Sequence, residues 1–143
     1  MGVLKELAMK LLIAAILLSV VSAQDPPNFL VLGNSDKRID DIKWKAIKVV
    51  NDESKDNFLM VPTMIYRVSV DKEKKVQGNW FKIYFEGHQT NCLKNKMTHE
   101  QLRAKGCDLT MEGQRFAYNV DLVEPVGKKP KYTIEHKEKL MWG

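Results

Sequence analysis

The chain has 143 residues, 44% of them hydrophobic and 29% charged, with a formal net charge of +5. That length is the length of one domain rather than two, which excludes a large enzyme, a solenoid and a multipass membrane protein. Two cysteines are too few for a disulfide-rich scaffold or a four-cysteine zinc site.

The first segment reads as a targeting signal. Lys5 and Lys10 precede an apolar run from Leu11 to Val21, and Val21-Ser22-Ala23 supplies small residues at a cleavage point. The run is too short to span a bilayer, which takes about 20 residues. It suits a secretory signal peptide over residues 1–23 rather than an uncleaved anchor. The expected product is a secreted, extracellular single domain, residues 24–143, with no membrane association after cleavage. In an oxidising compartment an isolated pair such as Cys92 and Cys107 is more often a structural disulfide than a metal site or a nucleophile. Bridging them would close a loop of about 16 residues, worth roughly 3 kcal/mol in the chain-entropy model. No Asn-x-Ser/Thr sequence occurs, so N-glycosylation is not expected.

From Gln24 to Asn34 an extended arm is expected, because Pro26-Pro27 blocks a helix start and Gly33 ends the segment. A helical period follows from about Asp36 to Glu53. Ile39, Ile42, Ala46, Val49 and Val50 recur at spacings of three and four, Ser35 or Asp36 can cap the start, and Trp44 lies off the stripe. After Pro62 the period becomes two. Met64, Tyr66, Val68 and Val70 alternate with Ile65, Arg67 and Ser69, a strand with one buried face. The polar, lysine-rich stretch from Asp71 to Gly78 reads as a hairpin loop. A second strand follows, with Asn79, Phe81, Ile83 and Phe85 alternating with Trp80, Lys82, Tyr84 and Glu86. Between Gly87 and Gly113 the pattern breaks, and an irregular excursion bearing both cysteines is expected. Phe116, Tyr118, Val120 and Leu122 face one way in a third strand that stops at Pro125. After a short turn from Val126 to Pro130, Tyr132 to His136 can pair back. The expected fold is α+β, an antiparallel sheet of four to five strands packed on one long α-helix. In such a meander both hairpin loops emerge at the same end.

Catalytic patterns are missing from the sequence. His88, His99 and His136 lie in separate regions with no His-Glu-x-x-His spacing, and there is no phosphate-binding glycine loop or Gly-x-Ser-x-Gly elbow. Asp40-Asp41 cannot form a dyad on a helix, where adjacent positions point about 100° apart. Thr98-His99-Glu100 reads as a solvated part of the excursion. The lysines are dispersed, so the positive charge is weak support for nucleic-acid binding. No enzyme, cofactor, metal or nucleic-acid partner is expected.

Arm, helix and two same-end hairpins, taken in order with their residues, resemble the cystatins. Leu30-Val31-Leu32-Gly33 resembles the apolar stretch and glycine that precede the cystatin helix. Lys75-Val76-Gln77-Gly78 before Asn79-Trp80-Phe81 resembles the first hairpin, whose family pattern is Gln-x-Val-x-Gly and an aromatic strand. Gln89-Thr90-Asn91-Cys92 resembles the start of the first disulfide of secreted cystatins, with Cys107 its implied partner. Phe116 to Glu124 resembles the penultimate strand, and Pro125-Val126-Gly127 falls on the second hairpin, where the family usually has Pro-Trp.

The resemblance implies a reversible, tight-binding inhibitor of papain-like, cathepsin-type cysteine proteases, and a monomer. A wedge of arm and two hairpins would occlude the active-site cleft. Leu30, Val31 and Leu32 would fill apolar subsites as an extended segment. Gly33 would let the arm bend close to the enzyme, and Lys74, Lys75, Val76, Gln77 and Gly78 would form the first hairpin contact, with Pro125 and Val126 forming the second. Departures from the family favour an alternative, a non-inhibitory cystatin-fold binding module. Lys74 stands where the family has Gln, and Val126 replaces the second-loop Trp, which removes about 1–3 kcal/mol of contact. The second family disulfide lacks its cysteines, with Ala117 at the expected first position. Ser54-Lys55-Asp56 lacks the central Asn of the family's asparaginyl-protease motif. The tail from Lys137 to Gly143 is too short and mixed in charge for a host-defence peptide.

Overall fold

The computed structural model of the chain describes residues 28–71 and 77–141. The expected signal peptide and the loop residues Lys74, Lys75 and Val76 lie outside the described residues. In chain order the elements are β1 (Phe29–Val31), α1 (Arg38–Glu53), β2 (Phe58–Asp71), β3 (Gly78–Leu93), α2 (His99–Lys105), β4 (Arg115–Pro125) and β5 (Lys131–Lys139). The strands form one antiparallel sheet in the order β1-β2-β3-β4-β5.

Helix α1 begins where Asp36 accepts from the backbone N–H of Arg38 at 2.9 Å and binds its guanidinium at 2.8 Å. The Arg38 bond holds the Asp36 carboxyl at about 2, below the usual carboxylate range. The helix buries Ile42, Ala46, Ile47, Val49 and Val50 against Val68, Phe81, Ile83, Phe85, Tyr118, Val120 and Leu122 of the sheet. Removing these side chains from water is the main stabilising term of the domain. At the end of α1 the buried Asn51 donates to Met60 O at 3.0 Å and accepts from Met60 N at 2.8 Å. A side-chain amide thus stands in for a strand neighbour and fixes where β2 starts on the helix.

Three expectations need correction. First, β2 does not keep one face buried through the run from Met64 to Val70. Register shifts occur between Pro62 and Met64 and between Ile65 and Arg67, and each inserted residue inverts the parity of what precedes it. Val68 is therefore in the core, whereas Met64 and Tyr66 are 54% and 46% exposed. Second, β3 does not end near Glu86 but continues to Leu93. Gly87 lies inside the strand, paired with Phe116, and is a glycine there because a Cβ would press on the Tyr118 ring at 2.9 Å. Third, the described residues form two helices rather than one, since the excursion folds into α2 under a capping box. Thr98 accepts from Gln101 N at 3.2 Å and Gln101 Oε1 accepts from Thr98 N at 2.9 Å. Leu102 anchors α2 with no exposed surface, Arg103 pairs with Asp40 at 2.8 Å, and the His99 ring meets Trp44 edge-on. Cys92 and Cys107 form the disulfide that closes this excursion.

Candidate functional site at the hairpin end

Antiparallel register brings three segments to one end of the sheet. Phe29 pairs with Asp71, the last residue of β2, and Gly78, the first of β3, pairs with Pro125, the last of β4. The start of β1 therefore lies beside the β2–β3 hairpin, and the β4–β5 hairpin lies on its other side. The two hairpins are tied directly, because Val126 N donates to Gln77 O at 2.6 Å. Their approach depends on Gly78, which has φ +132 and whose missing Cβ leaves room for Glu124 O. The second hairpin reverses through Gly127 at φ +69, with Lys128 N donating to Pro125 O at 3.5 Å. This turn pushes Val126 outward, so that it is 74% exposed.

The ends of the strands brace these loops. Phe29 is buried against the edge of Trp80 at 5.1 Å between ring centroids, and Lys82 lies over both rings. Lys82 reaches both oxygens of Asp121 at 3.0 Å, and Trp80 Nε1 donates to the same carboxylate. Beneath the second hairpin Glu124 accepts from Lys45 and from the Tyr132 hydroxyl, each at 3.0 Å. Burial, and then the bond to Glu124, push the Tyr132 phenol up. Trp80, Lys82 and Asp121 carry the start of the arm, a role that the strand alternation alone does not reveal.

The residues singled out from the sequence divide into two groups. Gln77, Gly78, Pro125 and Val126 come together at the hairpin end. Leu30 and Val31 are exposed on the adjacent edge strand. Leu32 and Gly33 are not brought there. Leu32 donates to Val68 O at 2.8 Å and is 7% exposed, within the core. The chain leads away from the hairpins at about 3.3 Å per residue, so Gly33 lies four steps beyond Phe29. There its carbonyl accepts from Asp36 N at 2.9 Å in the turn into α1. The histidines stay apart: His88 contacts Thr110 O, His99 contacts Trp44, and His136 approaches Glu138. Among the described residues no group of three His, Cys, Asp or Glu side chains is arranged to hold a metal ion.

No protein-family model matches the sequence, and no curated protein matches it. Solved structures do. Al-CPI superposes with a TM-score of 0.64 at 19% identity, covering 78% of this chain and 98% of its own. Dimeric human cystatin F gives 0.60 at 18% identity, over 84% of this chain and 91% of its own. The chain has the cystatin fold. A salivary cystatin from the soft tick Ornithodoros moubata gives 0.51 at 11% identity, with 82% of this chain and all of the tick protein aligned. The disulfide-bearing excursion leaves β3 after Leu93, at the end of the sheet away from the hairpins.

Proposed function

We propose that the chain is a secreted, reversible inhibitor of papain-like, cathepsin-type cysteine proteases, and not an enzyme, released as a monomer of residues 24–143 after cleavage of its leader. The observation that carries this reading is the joined ridge at the hairpin end: two hairpins linked by the Val126–Gln77 bond, beside the start of the arm. The second hairpin, already held by the sheet and by the Val126–Gln77 bond, enters a cleft at a reduced ordering cost. Val126 supplies an exposed apolar tip, Gly78 keeps the crest narrow, and Leu30 and Val31 offer apolar side chains along the flank. Cleavage of the second hairpin is disfavoured because its backbone turns through Gly127 rather than lying in the extended form that a protease reads. Lys74, Lys75 and Val76 belong to this contact by their place in the sequence.

The second reading, a cystatin-fold module that binds without inhibiting, is favoured by the placement of Leu32 and Gly33 in the body of the domain. In the inhibitor reading the contact is made by Leu30, Val31 and the chain before them. Titration of the refolded mature chain against papain and a cathepsin L-type protease separates the two readings. The inhibitor reading requires stoichiometric loss of peptidase activity, reversible on dilution. No inhibition at micromolar concentration selects the binding module.

A further inference from the structure

Three lysines that follow the second hairpin turn carry charges that the described residues do not pair. Lys128, Lys129 and Lys131 are exposed, and no ion pair joins them to another described residue. The lysines that do pair lie on α1 and β3: Lys43 with Asp40, Lys45 with Asp41 and Glu124, Lys48 with Asp52, and Lys82 with Asp121. The nearby carboxylate, Glu124, is taken by Lys45 and Tyr132.

We propose that this cationic collar selects proteases whose cleft is rimmed by carboxylates, by accelerating their association with the wedge. The proposal rests on the inhibitor reading. Three like charges within four residues repel one another, and nothing among the described residues neutralises them; a partner of opposite sign does. They flank a projecting apolar tip, Val126, which favours a cleft with an apolar floor and acidic banks over a linear polyanion, for which the tip has no use. Charges on the rim of an interface act mainly on the association rate. Steering of this kind is worth about 10- to 1,000-fold in that rate at low salt, and is screened over about 10 Å at 0.1 M salt.

The test is stopped-flow association of the mature chain with a papain-like protease bearing an acidic cleft rim, and with its variant in which the rim carboxylates are amides. The triple variant Lys128→Glu, Lys129→Glu, Lys131→Glu should associate about tenfold or more slowly with the acidic-rimmed enzyme at low salt. The deficit should fall below about twofold at roughly 0.5 M salt, where charges a few ångströms apart are screened. Dissociation should change by less than about threefold, and the amide-rimmed enzyme should not distinguish the two inhibitors. Unchanged association rates with inhibition intact would overturn the steering and leave the inhibitor reading standing. If the wild-type chain inhibits neither enzyme, the inhibitor reading falls and the steering falls with it. Loss of heparin retention by the triple variant with unaltered association would assign the lysines to a polyanion and likewise overturn the proposal.

Discussion

Replacing Gly78 by alanine tests the geometry on which the hairpin end depends. The residue has φ +132, and an added Cβ would overlap Glu124 O while lying 3.0 Å from both Pro125 Cα and Val126 N. All three obstacles are backbone atoms of the neighbouring strand and turn, so no side-chain rotation relieves them. Holding a non-glycine residue at such an angle costs about 1–3 kcal/mol. Separating the strands also weakens the Val126–Gln77 bond, which adds about 1 kcal/mol. The expected loss is therefore about 2–4 kcal/mol in urea unfolding of the mature, oxidised chain, with inhibition of papain weakened more than about tenfold. Gly127→Ala is the control. Its φ is +69 and nothing lies within 4 Å of an added Cβ, so only the conformational cost of about 1 kcal/mol applies. Equal losses for the two variants, or less than about 1 kcal/mol at Gly78, would refute the close-approach argument.

Val126→Trp should tighten inhibition of papain about 5- to 150-fold by restoring an indole-sized contact at the exposed tip, with the unfolding midpoint unchanged; an unaltered inhibition constant would place the contact elsewhere. Burial holds His99 below its usual range, and its Nδ1 is buried without a hydrogen-bond partner. Because the folded state disfavours the imidazolium, this residue's contribution is full above a pH of about 6.5 and is lost as pH falls below it. His99→Phe should therefore stabilise the chain, and by more at a pH of about 5.5 than at about 7.5, measured by urea unfolding at both. Replacing Cys92 and Cys107 together by alanine should cost roughly 3 kcal/mol in the same assay, and loss of under about 1 kcal/mol would show that the excursion is held without its crosslink.

The helix, the hairpin order and the shared end of the loops are legible in the sequence because their signals are local: the stripe from Ile39 to Val50, the alternation around Phe81 to Phe85, and the break at Pro125. What is not legible is non-local. The parity of β2 is inverted by bulges that appear only when Ile65 and Arg67 are matched to Phe85 and Tyr84. Gly87 looks like a strand end until Tyr118 is seen to occupy the space above it. Leu32 and Gly33 read as the mouth of the arm, yet their pairing direction against β2 takes them toward α1. The short helix α2 did leave a signal, Thr98 followed by Gln101, then Leu102 and Gly106, the pattern of a capping box, an anchor and a C-terminal glycine. A reading centred on disulfides and on long periodic segments passes over it.

The direction of β5 has a practical consequence. Lys131 pairs with Val123 beside the hairpins and Lys139 with Phe116 at the other end, so the strand carries the chain about 26 Å along the sheet. Leu140 is held there by Arg115 O at 2.9 Å, and Met141 is exposed. A fluorophore or surface tether attached after Met141 therefore leaves the hairpin end facing solution, whereas a fusion before Asn28 enters beside it. Immobilised through a tether after Met141, the protein leaves its hairpin end accessible to any partner approaching from solution.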